Sequence, residues 1–277
     1  MRLFGLFAIF TLVASGATRY TARGLVVAAD PAQHTLTISH EAIAGYMDAM
    51  SMAFEVRGKT FPPGTGVAFS LVVDQRKSWI ENVREVPFTS PERDPSLANR
   101  LQLIDRINGT APTALRPGEP VPNFTLTNQA GRPVSFSELR GKVVAVTFIY
   151  TRCPLPDYCM RLSNNFDRLS KRFPKASDLA LLTISFDPVY DTTDKLAQYS
   201  AIWKADAARW HFMTGAPKEI ERVSGLFGVT AWRDDGLLTH ALHTAVIGRD
   251  GRLMANLEGN RFSAKQLGDL VEAALRR

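Results

Sequence analysis

Val143-Val144-Ala145-Val146-Thr147-Phe148-Ile149-Tyr150-Thr151-Arg152-Cys153-Pro154-Leu155-Pro156-Asp157-Tyr158-Cys159 is an apolar run that ends in a proline-rich turn carrying both cysteines of the chain. A continuous apolar stretch of this length reads as a strand buried on both faces, and the pattern over 157–173 reads as the helix it feeds. Downstream, strands are expected at 179–186, 210–214, 243–248 and 252–257, with helices at 193–203, 218–227 and 263–276. Asp250-Gly251 supplies the hairpin turn between the last two strands. Strands alternating with helices predict an α/β domain with helices on both faces of the sheet.

Upstream the pattern is different. Short strands are expected at 22–28, 35–40, 51–56, 66–73 and 78–85, divided by breakers such as Asp30-Pro31 and Pro62-Pro63-Gly64. Strands at this spacing predict a small all-β domain, an antiparallel OB-like barrel over 20–87. Seven prolines fall between Val86 and Asn123, a density that suits a connector, with a short helix at 96–107 capped by Ser96 and stopped by Asn108-Gly109. At the N-terminus Arg2 precedes an apolar run from Leu3 to Val13 and the small residues Ala14, Ser15, Gly16 and Ala17, the layout of a signal peptide. That run is shorter than the roughly 20 residues of a spanning helix, so cleavage after Ala17 is favoured over an uncleaved anchor. The expected order is signal peptide 1–17, barrel 20–87, linker 88–116 and α/β domain 117–277. The expected location is periplasmic or otherwise extracytoplasmic, soluble or held to a membrane at the N-terminus.

The formal charge is +6, but Lys and Arg are scattered among Asp and Glu rather than gathered into a stripe, which argues against nucleic-acid binding. Cys153 and Cys159 are too close in sequence for a disulfide to restrict the unfolded chain much, so chemistry is a better account of the pair than stabilisation. A thiol at a helix N-terminus ionises more readily, and thiolate serves both metal binding and disulfide exchange. Residues six apart on a regular helix would face about 240° apart. Pro154 and Pro156 are therefore expected to hold Cys153 in the loop, with Cys159 in the first helical turn and the sulfurs free to meet.

Strand, Cys-Pro pair and helix, then Ile184-Ser185-Phe186-Asp187-Pro188 with Asp191-Thr192, then His243-Thr244 ahead of Asp250-Gly251, together resemble the Sco/SenC family of thioredoxin-like copper proteins. The resemblance runs from about Pro117 to the C-terminus. It implies a thioredoxin-like fold and copper held by Cys153, Cys159 and His243, in a site able to hold Cu(I) or Cu(II). His240 is the rival histidine. The family usually has three residues between its cysteines and this chain has five, which bears on copper geometry and redox potential. The resemblance gives Asp187 a supporting or partner-docking role beside the metal; a helix cap ahead of Thr192 and Thr193 is the alternative.

In the small domain His40, Met47, Met50 and Met52 stand close together, and thioether sulfur with imidazole is a donor set for Cu(I) rather than Mg or Ca. Met50, Met52, Phe54 and Val56 also alternate as ordinary barrel core would. The stretch from His40-Glu41-Ala42-Ile43 through Tyr46-Met47 to Met50-Ser51-Met52-Ala53-Phe54 resembles CusF-like periplasmic copper-binding domains over about Tyr20 to Val86. Met47 stands where that family commonly has a tryptophan over the metal.

Two copper resemblances in one chain imply a copper metallochaperone, and the Sco/SenC resemblance implies delivery to the CuA centre of cytochrome c oxidase. The expected partners are a copper-recipient protein such as an oxidase subunit, and a thiol reductant. The enzyme alternative is a thiol-disulfide reductase working through Cys153 and Cys159.

Overall fold

The computed structural model describes residues 17–74, 77–87, 114–153, 156–229, 231–234, 237–240 and 242–277, with the backbone alone at 156–157, 231–234 and 237–240. The N-terminal apolar run, most of the proline-rich connector with its expected helix, and the side chain of His240 lie outside the described residues.

Strands β1 (Thr18–Asp30), β2 (Thr35–His40), β3 (Ser51–Arg57), β4 (Gly66–Asp74) and β5 (Lys77–Glu85) close into a barrel in the order β1-β2-β3-β5-β4. The expectation of a wholly antiparallel barrel is corrected at one seam, where β3 runs parallel to β5. Closure requires it: β4 pairs with both β1 and β5, so β5 must return along β3 in β3's own direction. Alternation does the rest. Phe54 and Val56 point inward beside Leu36, Ile38, Leu71 and Ile80, while Ser51, Ala53 and Glu55 face out. Gly24 is required by the close approach of β1 to β2, because a Cβ there would lie 2.5 Å from Ile38 Cγ2 and 2.8 Å from His40 Cα.

The second domain is a seven-stranded sheet in the order β14-β13-β8-β9-β10-β6-β7. Its strands are β6 (Thr125–Asn128), β7 (Pro133–Ser135), β8 (Val143–Ile149), β9 (Leu179–Ser185), β10 (Trp210–Thr214), β13 (His243–Ile247) and β14 (Leu253–Glu258). The parallel strands β8, β9 and β10 are buried along their whole length, the pattern that continuous apolar runs predict. Helices α1 (Arg161–Arg172), α2 (Thr193–Ile202), α3 (Pro217–Leu226) and α4 (Ala264–Leu275) follow the strands as expected, within two residues at most ends except the start of α1. A separate hairpin, β11 (Ala231–Asp234) and β12 (Leu237–His240), leads into β13; neither it nor the short strands β6 and β7 was anticipated. Among the described residues no helix is long and apolar enough to cross a membrane.

The domains share a strand. Ala22 and Val26 of β1 enter the barrel core, whereas Leu25 and Val27 enter the core of the α/β domain, which explains the unbroken Leu25-Val26-Val27. On the same outer face the Ser39 hydroxyl donates to Asp269 of α4 at 2.5 Å, and the Gln266 amide donates to the Ser39 carbonyl at 3.4 Å. Asp269 also takes Lys265 at 2.6 Å and Arg172 at 2.7 Å. Burial works to raise its carboxyl, and the hydrogen bonds from Lys265, Ser39 and Arg172 outweigh burial and hold it below the usual carboxylate range. Gly64 abuts Ala255, so the barrel also sits against β14, the edge strand of the sheet.

Candidate metal centre

Strand β8 delivers Tyr150-Thr151-Arg152-Cys153 to one end of the sheet, and the Cys153 amide donates back to the Tyr150 carbonyl at 3.3 Å. Cys159 lies in a π turn (Pro156–Met160) that runs into α1, not in the first turn of a regular helix as the sequence implied. A π turn is a wider turn that often marks a functional position. Neither cysteine is in a disulfide; Cys159 is only 2% exposed and Cys153 partly so. They are in hydrogen-bonding contact, and that bond together with burial and the neighbouring Cys153 pushes the Cys159 thiol well above its ordinary value. The sulfurs converge, as the proline loop led us to expect.

Two carboxylates from the turn after β9 grip the same loop. Asp187, 2% exposed, accepts from Arg152 Nε at 2.8 Å and from its Nη2 at 2.7 Å, and the guanidinium lies over the Tyr190 ring. The alternative role for Asp187 falls away, since Thr192 caps α2 by accepting from the Lys195 amide. Asp191, fully buried, accepts from the Thr151 amide at 3.0 Å, from the Thr151 hydroxyl, and from the Ser185 hydroxyl at 2.5 Å. Near the thiols the Tyr199 hydroxyl bonds Ser163 at 2.9 Å, and burial pushes its phenol up to about 12. Asp191 stands in the motif that carries the family resemblance and Thr151 beside the cysteines, but sequence assigned neither a role and did not single out Tyr199, because contacts between polar residues far apart in sequence give no local signal.

His243 opens β13 and is 8% exposed. Its Nδ1 lies 3.2 Å from Asn256 Oδ1, while Asn256 Nδ2 donates to the Phe227 carbonyl at 2.9 Å. That second bond fixes the amide so that its oxygen faces the ring; Nδ1 therefore carries the proton and Nε2 the lone pair. Burial lowers the His243 pKa against the pull of Glu258 and Asn256, leaving a neutral imidazole. Gly228, at φ +80, leaves room beside it, for a Cβ there would stand 3.4 Å from Nε2. Among the described residues no group of three or more His, Cys, Asp or Glu side chains stands at metal-holding distance, so the structure joins the two cysteines and leaves His243 apart from them. His240 ends β12, three residues earlier.

The barrel donors share one end. The His40 amide bonds the Met50 carbonyl at 2.9 Å and Ile38 pairs with Met52, so His40, Met50 and Met52 lie on one face of the β2–β3 pair. Met47 closes a tight turn with Ile43 and packs against the same core as Met52, while Met50 is 46% exposed. His40 is 1% exposed; its Nδ1 lies 2.7 Å from the Glu41 carbonyl and its buried Nε2 has no hydrogen-bond partner. A ring whose Nδ1–H is held by a carbonyl and whose Nε2 is left bare is set up as a ligand. Two thiols in contact, and an orphaned imidazole on the strand face that carries Met50 and Met52, both suit a soft metal such as Cu(I).

Comparison with known proteins agrees with both halves. Residues 113–275, more than half of the chain, match the SCO1/SenC family model, and residues 19–85 match the model for the copper binding periplasmic protein CusF. A Stutzerimonas stutzeri protein provisionally named for copper binding is 29% identical over 172 residues, covering 59% of this chain and 80% of that protein. The SCO1/SenC family lipoprotein of Bacillus anthracis shares the fold at TM-score 0.51 and 22% identity, over 58% of this chain and 99% of the other. BsSco, a member of the Sco family of cytochrome c oxidase assembly proteins studied for a disulfide switch, matches at TM-score 0.50 and 25% identity, over 58% and 98%. The chain belongs to the SCO1/SenC family of thioredoxin-like, copper-binding proteins and carries a CusF-like domain at its N-terminus.

Proposed function

We propose that this protein is an extracytoplasmic copper metallochaperone that holds copper at two places and passes it to a recipient such as the CuA-bearing subunit of cytochrome c oxidase. The observation that carries the reading is the orphaned Nε2 of His40, buried at the methionine end of a barrel in a chain whose other domain presents two thiols in contact. Burying an unpaired ring nitrogen costs free energy that a bound metal would recover. In the α/β domain Cys153 and Cys159 supply thiolates and His243 the imidazole, with His240 the alternative nitrogen donor. In the barrel His40, Met47, Met50 and Met52 supply the donors. Cys153, the more exposed sulfur, is the one through which copper enters and leaves; Cys159 stays behind it.

Anaerobic Cu(I) loading of the reduced full chain tests this, with about two equivalents expected, one in each domain. His243→Ala should lose the thiolate-to-Cu(II) absorption while keeping some Cu(I). Loss in His240→Ala instead would reassign the nitrogen donor, and no Cu(I) uptake at all would end the copper reading.

One observation favours a second reading. Both thiols are reduced and touching while His243 is not gathered with them, which is all that thiol–disulfide exchange needs. Efficient turnover of a disulfide substrate, unaffected by either histidine change, would establish it.

A further inference from the structure

We infer that Asp191 is a positioning residue for the cysteine pair, its buried carboxylate tying Thr151 to the end of β9 so that Cys153 is held against Cys159. Thr151 lies two residues before Cys153, and Ser185 is the last residue of β9, paired with Ile149 at the end of β8. One oxygen of Asp191 takes the Thr151 amide at 3.0 Å and the Ser185 hydroxyl at 2.5 Å; the other takes the Thr151 hydroxyl. The carboxylate therefore spans two strand ends and stops the chain from pivoting where it leaves the sheet.

The turn that carries Asp191 is itself closed. Tyr190 and Asp191 amides both donate to the Asp187 carbonyl, at 3.0 and 2.9 Å, and the Asp187 carboxylate holds Arg152. Consecutive loop residues 151 and 152 are thus each gripped by one carboxylate of a five-residue turn, and Cys153 comes next. A fully buried carboxylate satisfied by neutral donors is a costly way to gain stability, since apolar residues of like size often serve as well or better. What it adds is a fixed geometry, and the group it fixes is the reactive loop.

This assignment deepens the reading of Cys153 and Cys159 as the working pair, and it can be tested without copper. In glutathione buffers the pair exchanges with glutathione disulfide: one S–S bond forms between Cys153 and Cys159 while the S–S bond of glutathione disulfide breaks; glutathione disulfide takes up the two electrons and two thiol protons and leaves as two glutathione thiols. Holding the sulfurs together raises their effective concentration and favours the protein disulfide. Thr151→Val removes the hydroxyl donor and should weaken the disulfide about tenfold against glutathione, about 30 mV. Asp191→Asn should do the same or more, and Thr151→Ser, which keeps the donor, should stay at the wild-type value.

A Thr151→Val equilibrium equal to wild type would overturn the assignment, as would Thr151→Ser falling as far as Thr151→Val. If Asp191→Asn fails to fold, the two Thr151 variants decide the matter alone. Wild-type protein that takes up no Cu(I) while the Thr151 variants still shift the disulfide would sink the copper reading and leave this positioning role standing.

Discussion

The barrel and the cysteine loop offer soft donors in opposite ways. In the barrel the imidazole of His40 is fixed by a strand, buried and bare at Nε2, with Met50 exposed beside it. In the α/β domain the sulfurs sit on a loop and a π turn, satisfy one another, and stand apart from His243. A site whose ligand is orphaned gains on loading; a site whose ligands are paired must first part them. On the proposed reading the first would suit capture and the second exchange.

The largest test of this contrast removes one sulfur. Cys153→Ser or Cys159→Ser should drop Cu(I) stoichiometry from about two to about one per chain, leaving the barrel site intact, because the two donor sets belong to separate domains. Inductively coupled plasma analysis after anaerobic loading reads this directly, and loss of both equivalents would mean that the sites are one.

Next in size is the shared strand. Leu25→Ala removes a side chain buried in the α/β core and should cost about 2–5 kcal/mol, although the residue belongs to the barrel. Calorimetry should show one transition moved as a whole; two transitions with only the barrel moved would break the picture of joined cores.

A smaller effect is expected at the polar contact between the domains. Asp269→Asn should cost about 1–2 kcal/mol at neutral pH. Because the folded carboxyl lies below its unfolded value, its contribution is complete above the ordinary Asp value of about 3.9 and fades as pH falls through the lower folded value. Denaturant midpoints of variant and wild type should therefore differ at neutral pH and converge in acid; a constant gap at all pH values would show that charge plays no part.

Smallest in stability is Met50→Ala, which touches an exposed side chain and should change unfolding free energy by less than about 0.5 kcal/mol. Chelator competition should nonetheless show barrel Cu(I) affinity falling at least about tenfold. Unchanged affinity would make the methionines plain barrel residues.

Legibility followed the range of the signal. Alternation in β3 and the continuous run in β8 are local, and both strands stand where periodicity put them. The cysteine pair was readable for the same reason. Strands of three and four residues such as β7 and β6 carry too few side chains to show a period, and the β3–β5 seam depends on how the barrel closes rather than on any one segment. Leu25 and Val27 read as ordinary barrel residues until the second domain is seen against them. The grip of Asp191 on Thr151 joins residues 40 apart and leaves no trace in either neighbourhood.

The strand with two faces also constrains the order of events in folding. Ser39 and Asp269 lie 230 residues apart, so the outer face of β1 and β2 is made early in synthesis and meets α4 only when almost the whole chain is present. Contacts of such long range are slow to form. Until α4 is in place Leu25 and Val27 would present an uncovered apolar face, so loss of the C-terminal helix should be felt at the opposite end of the sequence.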